Sequence, residues 1–178
     1  MGRVICLALA LTFALTGCHQ RHSSEQPEPM PPVVPTPLVT PPKNVPGEAV
    51  IYVDNPKSTG TDDLLIPRTV TLSHPESPAR SAIEALLASK KTHIVTGTAL
   101  RGLTIENGLA TVDFSRDPVN ETGGEGGQGA AIEAISRTLG QFPEIKTFQI
   151  QVKGKLTTAF GEFTTDDPLV VARPEKKP

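Results

Sequence analysis

The chain has 178 residues, a formal net charge of −2, eighteen prolines, two cysteines and no tryptophan. A near-neutral chain with no basic run beyond Lys90-Lys91 in residues 48–172 lacks the positive stripe that binding to nucleic acid requires. Two cysteines are too few to build a fold on disulfides.

Met1 to Gly17 reads as a lipoprotein signal peptide. Arg3 gives it a positive tip, and Val4 to Leu15 is an apolar run with Thr12 as its polar exception. About a dozen residues is short of the ~20 that span a bilayer and suits a cleaved signal segment. The run ends in Leu15-Thr16-Gly17-Cys18, which resembles the bacterial lipobox: a branched apolar residue, two small residues that enter a protease cleft, and a cysteine. The resemblance implies that Cys18 is the lipid attachment site, carrying acyl chains such as palmitate, and that the membrane is its partner there. Stable anchoring takes two lipid signals, which a diacylglyceryl cysteine supplies. The expected place is the extracytoplasmic side of the cell membrane, or the outer membrane where one exists. With Cys6 lost in the signal and Cys18 acylated, the mature chain is expected to have no disulfide and no cysteine ligand.

Residues 18–47 form the acylated cysteine and a tether. His19 to Gly47 holds nine prolines and no aromatic residue. Proline fixes φ and removes amide donors, so an extended, disordered spacer of polyproline II character is expected, reaching up to ~90 Å at ~3.1 Å per residue. Pro35-Thr36-Pro37 and its neighbours also have the composition of ligands for proline-binding grooves.

Residues 48–172 have the length of one domain with its own core. Ala49 to Val53 is β-branched and aromatic, and reads as a strand. Leu64 to Leu72 is a second extended stretch, and Pro67 within it argues for an edge or a bulge. Ser77 is placed to cap a helix and Pro78 to start it. Ala79, Ala82, Ile83, Leu86 and Leu87 form one apolar helical stripe ending near Ser89. Leu100 to Glu106 and Leu109 to Ser115 flank Asn107-Gly108, a strong two-residue hairpin signal. Thr122 to Gly129 is rich in glycine and reads as a loop. A helix follows with Ile132, Ile135, Leu139 and Phe142 on one side, stopped by Gly140 and Pro143. Phe148, Ile150 and Val152 alternate in a strand that turns at Gly154, and Leu156 to Phe163 reads as a last short strand or arm. Residues 173–178 read as a charged, mobile tail.

The order is β-β-α-β-β-α-β-β. It predicts an α+β, two-layer sandwich with two helices on one face of a mixed sheet, preceded by the disordered tether.

Four segments, in order, resemble the GerMN domain, a module first named in sporulation and germination proteins of spore-forming bacteria. They are Pro78 to Leu87, Asn107 to Ser115 with its Val112-Asp113-Phe114, Ala134 to Pro143 with its Gln141-Phe142-Pro143 ending, and Phe148 to Gly154. Lys153-Gly154 stands where the family usually has Asp-Gly. The resemblance implies a compact α/β fold similar to the ring-building domains of secretion-like assemblies. It also implies an envelope protein, often a lipoprotein, and brings no catalytic residues.

The residues themselves point away from chemistry. His74 with Glu76 is a candidate pair, and His93 lies beyond the first helix, but a metal site needs two or three converging ligands; no metal or other cofactor is expected. Ser81, Ser115 and Ser136 lack the surroundings of a nucleophile. Asp62-Asp63 and Asp166-Asp167 read as turn residues. The glycine loop Gly123–Gly129 is the pocket candidate, since helix N-terminal amides attract anions. Asp113 reads either as a contact for a partner or as an exposed strand position bonding Ser115 or Thr111. The expected function is that of a lipid-anchored, non-catalytic protein-interaction module of the bacterial envelope, a scaffold for an envelope or sporulation assembly. Its partner would be an envelope protein or a second copy. The alternative is a lipoprotein that binds a small ligand or cell-wall glycan at the glycine loop. An interaction module predicts an open strand edge or an apolar patch; a ligand binder predicts a concave pocket with converging polar groups.

Overall fold

The structure, a computed structural model, describes residues 46–59, 64–119, 124–160, 163–164 and 167–173. The signal segment, Cys18 and the tether up to residue 45 lie outside the described residues, as do 174–178.

The first two strands, β1 (Glu48–Asp54) and β2 (Leu65–Thr71), form an antiparallel ribbon in register from Glu48 opposite Thr71 to Asp54 opposite Leu65. Ala49, Val50, Ile51 and Val53 are buried. Among the described residues β2 pairs with β1 alone, which is the edge position that Pro67 predicts.

Helix α1 (Pro78–Ala88) buries Ala79, Ala82, Ile83 and Leu86, the expected stripe, with Leu87 partly buried. Ser77 occupies the N-cap position, but its hydroxyl makes no capping bond. Its ψ of 65° departs from the extended geometry that aims a cap oxygen at the first amides. Ser81 takes over the local role: its Oγ accepts from the His74 amide and donates to the His74 carbonyl, both at 3.0 Å.

Strands β3 (Leu100–Glu106) and β4 (Leu109–Phe114) form the expected hairpin. Asn107 and Gly108 have φ of 52° and 87°, the doubly left-handed turn whose twist matches its flanking strands. Helix α2 (Gly124–Gly140) carries the chain across to β5 (Thr147–Val152), which lies parallel to β4 as a crossover of this length allows. Lys153 and Gly154, at φ of 55° and 79°, turn the chain into β6 (Lys155–Thr157), antiparallel to β5. The expected single last strand is instead several short pieces: β6, a hairpin of β7 (Ala159–Phe160) with β8 (Phe163–Thr164), and β9 (Leu169–Val170), which pairs with the start of β5. The main sheet thus runs β3-β4-β5-β6 with β9 also on β5, and β1–β2 forms a separate ribbon.

One buried cluster unites these parts. Ala110, Val112 and Phe114 of β4 and Phe148 and Ile150 of β5 face Ala131, Ala134, Ile135 and Leu139 of α2 and Ile83 and Leu86 of α1. Phe142 closes it from just beyond α2. The mixed sheet with two helices is the α+β architecture that the alternation and the helical stripes require.

The glycine-rich stretch departs from expectation. Gly124 to Gly129 is not a loop but the first turns of α2, while Thr122 and Gly123 lie outside the described residues. Glycine costs a helix roughly 1 kcal/mol per residue relative to alanine, so local propensity argues against this. Tertiary packing reverses it: Gly127 is buried, and Ala130 and Ala131 are sealed in the core one turn on.

At the C-terminal end of the described residues the chain is held. Arg173 is not loose: its guanidinium donates to the Ile145 carbonyl at 2.6 Å and to those of Gly140 and Pro143 at 3.5 Å. Together with β9 it forms a strap over the end of α2. The Ser136 hydroxyl fastens the strap, accepting from the Ala172 amide at 2.8 Å and donating to the Val170 carbonyl at 3.3 Å.

Candidate functional site

The face of the main sheet turned away from the helices carries Thr111, Asp113, Gln149 and Gln151, all partly exposed, because strand side chains alternate and β4 and β5 give their other face to the core. Gln149 Nε2 donates to Thr111 Oγ1 at 2.9 Å across the parallel pair. Asp113 makes neither of the expected bonds. Its Oδ1 accepts from the Gly154 amide at 2.9 Å, and its Oδ2 lies 3.7 Å from Arg101 Nε. A carboxylate on a neighbouring strand thus holds the left-handed Lys153-Gly154 turn in place. Asp113→Ala is expected to destabilise the fold by about 1–2 kcal/mol, the loss of a charge-assisted bond at a half-covered site. Urea unfolding measures it; a loss below about 0.5 kcal/mol would mean that the turn stands without Asp113.

This face ends in an open edge. Among the described residues β3 pairs with β4 alone. By contrast the side of β1 away from β2 is tied down by a side chain, that of Gln141. Gln141 accepts from the Val50 amide at 2.8 Å and donates to the Val50 carbonyl at 2.7 Å, standing in for a strand. The Asp54 amide at the other end donates to the Lys91 carbonyl at 2.9 Å. The only advance signal for Gln141 was its place in the Gln-Phe-Pro motif.

The other candidates do not converge. His74 Nδ1 lies 3.3 Å from Glu76 at an exposed site, and His93 Nε2 lies 3.5 Å from Asp54 Oδ1, an oxygen shielded from solvent and without a hydrogen bond. Among the described residues no group of three or more potential metal ligands comes together. Ser115 is structural, its Oγ accepting from the Ala99 amide at 2.9 Å. Cys18, Asp62, Asp63 and Asp166 lie outside the described residues. Burial pushes the Tyr52 hydroxyl pKa up, against a smaller opposing pull from the Arg137 guanidinium, which stacks 5.6 Å from the ring centre. That arrangement supports a packed ring rather than a proton donor.

The former glycine loop has a groove beside it, about 340 Å³, between α2 and the C-terminal strands. Gly129, Ile132, Phe160 and Leu169 line it, with Glu133, Ser136 and Thr164 as its polar side chains. Glu133 pairs with Arg137 at 2.6 Å, and Ser136 holds the strap. Among the described residues that leaves the Thr164 hydroxyl, short of the several converging polar groups that orient a small ligand. A second depression, about 510 Å³, lies at the end of α1 between Leu87 and Gly97.

Comparison with known proteins agrees with the architecture. A family model, Germane, described as sporulation and spore germination, matches residues 50–158. Among solved structures, the first GerMN domain of the sporulation protein GerM from Bacillus subtilis is 18% identical with a TM-score of 0.53, the match covering 69% of this chain and 96% of that one. The tandem GerMN domains of the same protein are 18% identical with a TM-score of 0.54, covering 69% of this chain but 45% of that one. No curated protein matches. At such identity the two structures show a shared fold, and the family rests on the match over residues 50–158, well over half of the sequence: the chain belongs to the Germane family of sporulation and spore germination.

Proposed function

We propose that this protein is a lipid-anchored, non-catalytic interaction module of the bacterial envelope. The observation that carries the reading is the outer edge of β3 in the main sheet, which no strand covers among the described residues. An unpaired strand offers a row of amides and carbonyls to a protein partner. The lipobox-like Leu15-Thr16-Gly17-Cys18 and the proline-rich stretch after it support display of the domain on a tether at the membrane surface. Membership in a sporulation and germination family supports a place in the envelope.

The test is crosslinking of the anchored protein in cells, followed by mass spectrometry of what is captured. An envelope protein or a second copy, lost when residues 48–172 are deleted and the tether kept, is the expected result. Capture of cell-wall fragments alone would replace this reading with glycan binding. For the anchor, Cys18→Ala is expected to move the protein from the membrane fraction to the soluble fraction while its far-UV circular dichroism is unchanged. Full membrane retention of that variant would remove the lipid from the proposal.

A further inference from the structure

Among the described strands of six or more residues, three have a side without a strand partner: β1, where Gln141 covers it, β2 and β3. Pro67 takes one amide out of β2 and blunts it. Strand β3 contains no proline, and among the described residues no backbone hydrogen bond outside the β3–β4 ladder reaches Leu100–Glu106.

Register decides which groups of β3 are open. Glu106 and Leu109 close the two-residue turn, and the ladder continues through Thr104 opposite Thr111 and Gly102 opposite Asp113. In such a hairpin the closing pair and every second pair beyond it exchange hydrogen bonds. Gly102, Thr104 and Glu106 therefore bond β4, and the amides and carbonyls of Leu103 and Ile105 point to the open side.

The side chains along this edge complement one another. The register shifts between Leu100 and Gly102, a bulge that turns Arg101 toward the wet face, where it meets Asp113 at 3.7 Å. Glu106 is exposed on that face at the far end of the strand. On the opposite face Leu103 is only partly buried, and Ile105 is 36% exposed although its neighbour Ala110 is sealed.

We infer that the outer edge of β3 is a self-association site, at which a second copy of this chain adds its own β3 antiparallel about a two-fold axis at Thr104. The inference rests on the interaction-module reading and names its partner. A two-fold antiparallel pair brings like faces together only when it is centred on a residue. Centring on Thr104 sets Leu103 against Ile105 of the second copy, and the reverse, with about four main-chain hydrogen bonds. Gly102 then faces Glu106 of the second copy. With no side chain at Gly102, that carboxylate lies over the backbone and meets Arg101, and symmetry repeats the pair. Thr104 meets its own counterpart on the wet face, while Leu103 and Ile105 cover each other on the inner one. Centring on Leu103 would run into the bulge at Arg101 and leave Glu106 without a cation. Five residues a side make a weak contact in free solution; anchoring both copies to one membrane raises their effective concentration.

The test uses the full chain in detergent micelles, carrying Thr104→Cys. Side chains directly opposite in an antiparallel pair have Cβ atoms ~5 Å apart, within reach of a disulfide. Mild oxidation is expected to give a covalent dimer that is absent from the parent chain, which has the native cysteines, and from Thr111→Cys on neighbouring β4. Adding Arg101→Glu or Glu106→Arg alone should lower the crosslinking roughly tenfold, by setting like charges together. The double reversal should restore it, a rescue that a folding defect could not produce. No dimer through Thr104, or single reversals without effect, overturns self-pairing. A photo-crosslinker at Thr104 that captures a different envelope protein in cells would also overturn it, while leaving the interaction-module reading in place.

Discussion

Phe148→Ala is expected to lower the unfolding free energy by about 3–5 kcal/mol, the range for removing a fully buried phenylalanine. Phe148 is 0% exposed and sits on β5, the strand that holds β4 on one side and β6 and β9 on the other. Its ring lies in the same cluster as Phe114, Ile135 and Leu139, so both the helix layer and the sheet border the space it would leave. Such a site is pinned on several sides and relaxes little, which puts the loss toward the upper end. Equilibrium unfolding in urea, followed by circular dichroism, measures it. A loss below about 1 kcal/mol would mean that the ring is not part of the core.

Gly140→Ala is the second, and its sign runs against local rules. In an exposed helix the change stabilises by roughly 1 kcal/mol. Here a Cβ at position 140 collides with the carbonyl of Ala172. That carbonyl is backbone and cannot swing aside as a side chain would, so the strap must lift as a unit. Lifting it breaks the bond that Ser136 accepts from the Ala172 amide, the one it donates to the Val170 carbonyl, and the contact of Arg173 with Ile145. Overpacking costs typically 1–3 kcal/mol, and the lost strap bonds place this variant at about 3 kcal/mol. Limited proteolysis should cut the chain after β8 faster in the variant. A neutral or stabilising effect, with unchanged cleavage, would show that the strap does not lie over Gly140.

Much of the fold was legible. Alternation at Ala110, Val112 and Phe114, and again at Phe148 and Ile150, named core residues that are buried, because a half-buried strand shows its burial with a period of two; Val152, the third of the second set, is only partly buried at the end of β5. The stripe on α1 was equally plain. On α2 the reading was partly shifted: Ile132 sits at the rim of the groove, while Ala131, Ala134 and Thr138 share the sealed face with Ile135 and Leu139. Alanine and threonine signal burial weakly, so the larger isoleucine drew the stripe off by one position. Less of the candidate site could be read. Asp113 was recognised as unusual, but its partner Gly154 is 41 residues away in sequence. Gln141 and Val50 are separated by 91. A polar side chain that satisfies a distant backbone leaves no periodic trace.

The sequence by itself determined the features that depend on neighbours along the chain. These are the Asn107-Gly108 turn with both φ values positive, the strand alternation, the apolar stripe of α1, the blunted β2 at Pro67, and the motifs that mark the family. Each follows from sterics or periodicity within about a dozen residues. Only the tertiary structure decided the rest. It made Gly124–Gly129 helical against propensity, closed the open side of β1 with Gln141, fastened Val170 to Arg173 across α2, and left β3 as a seven-residue edge without proline. Those outcomes depend on contacts between residues far apart in sequence, where packing and hydrogen-bond satisfaction outweigh the roughly 1 kcal/mol scale of local preference.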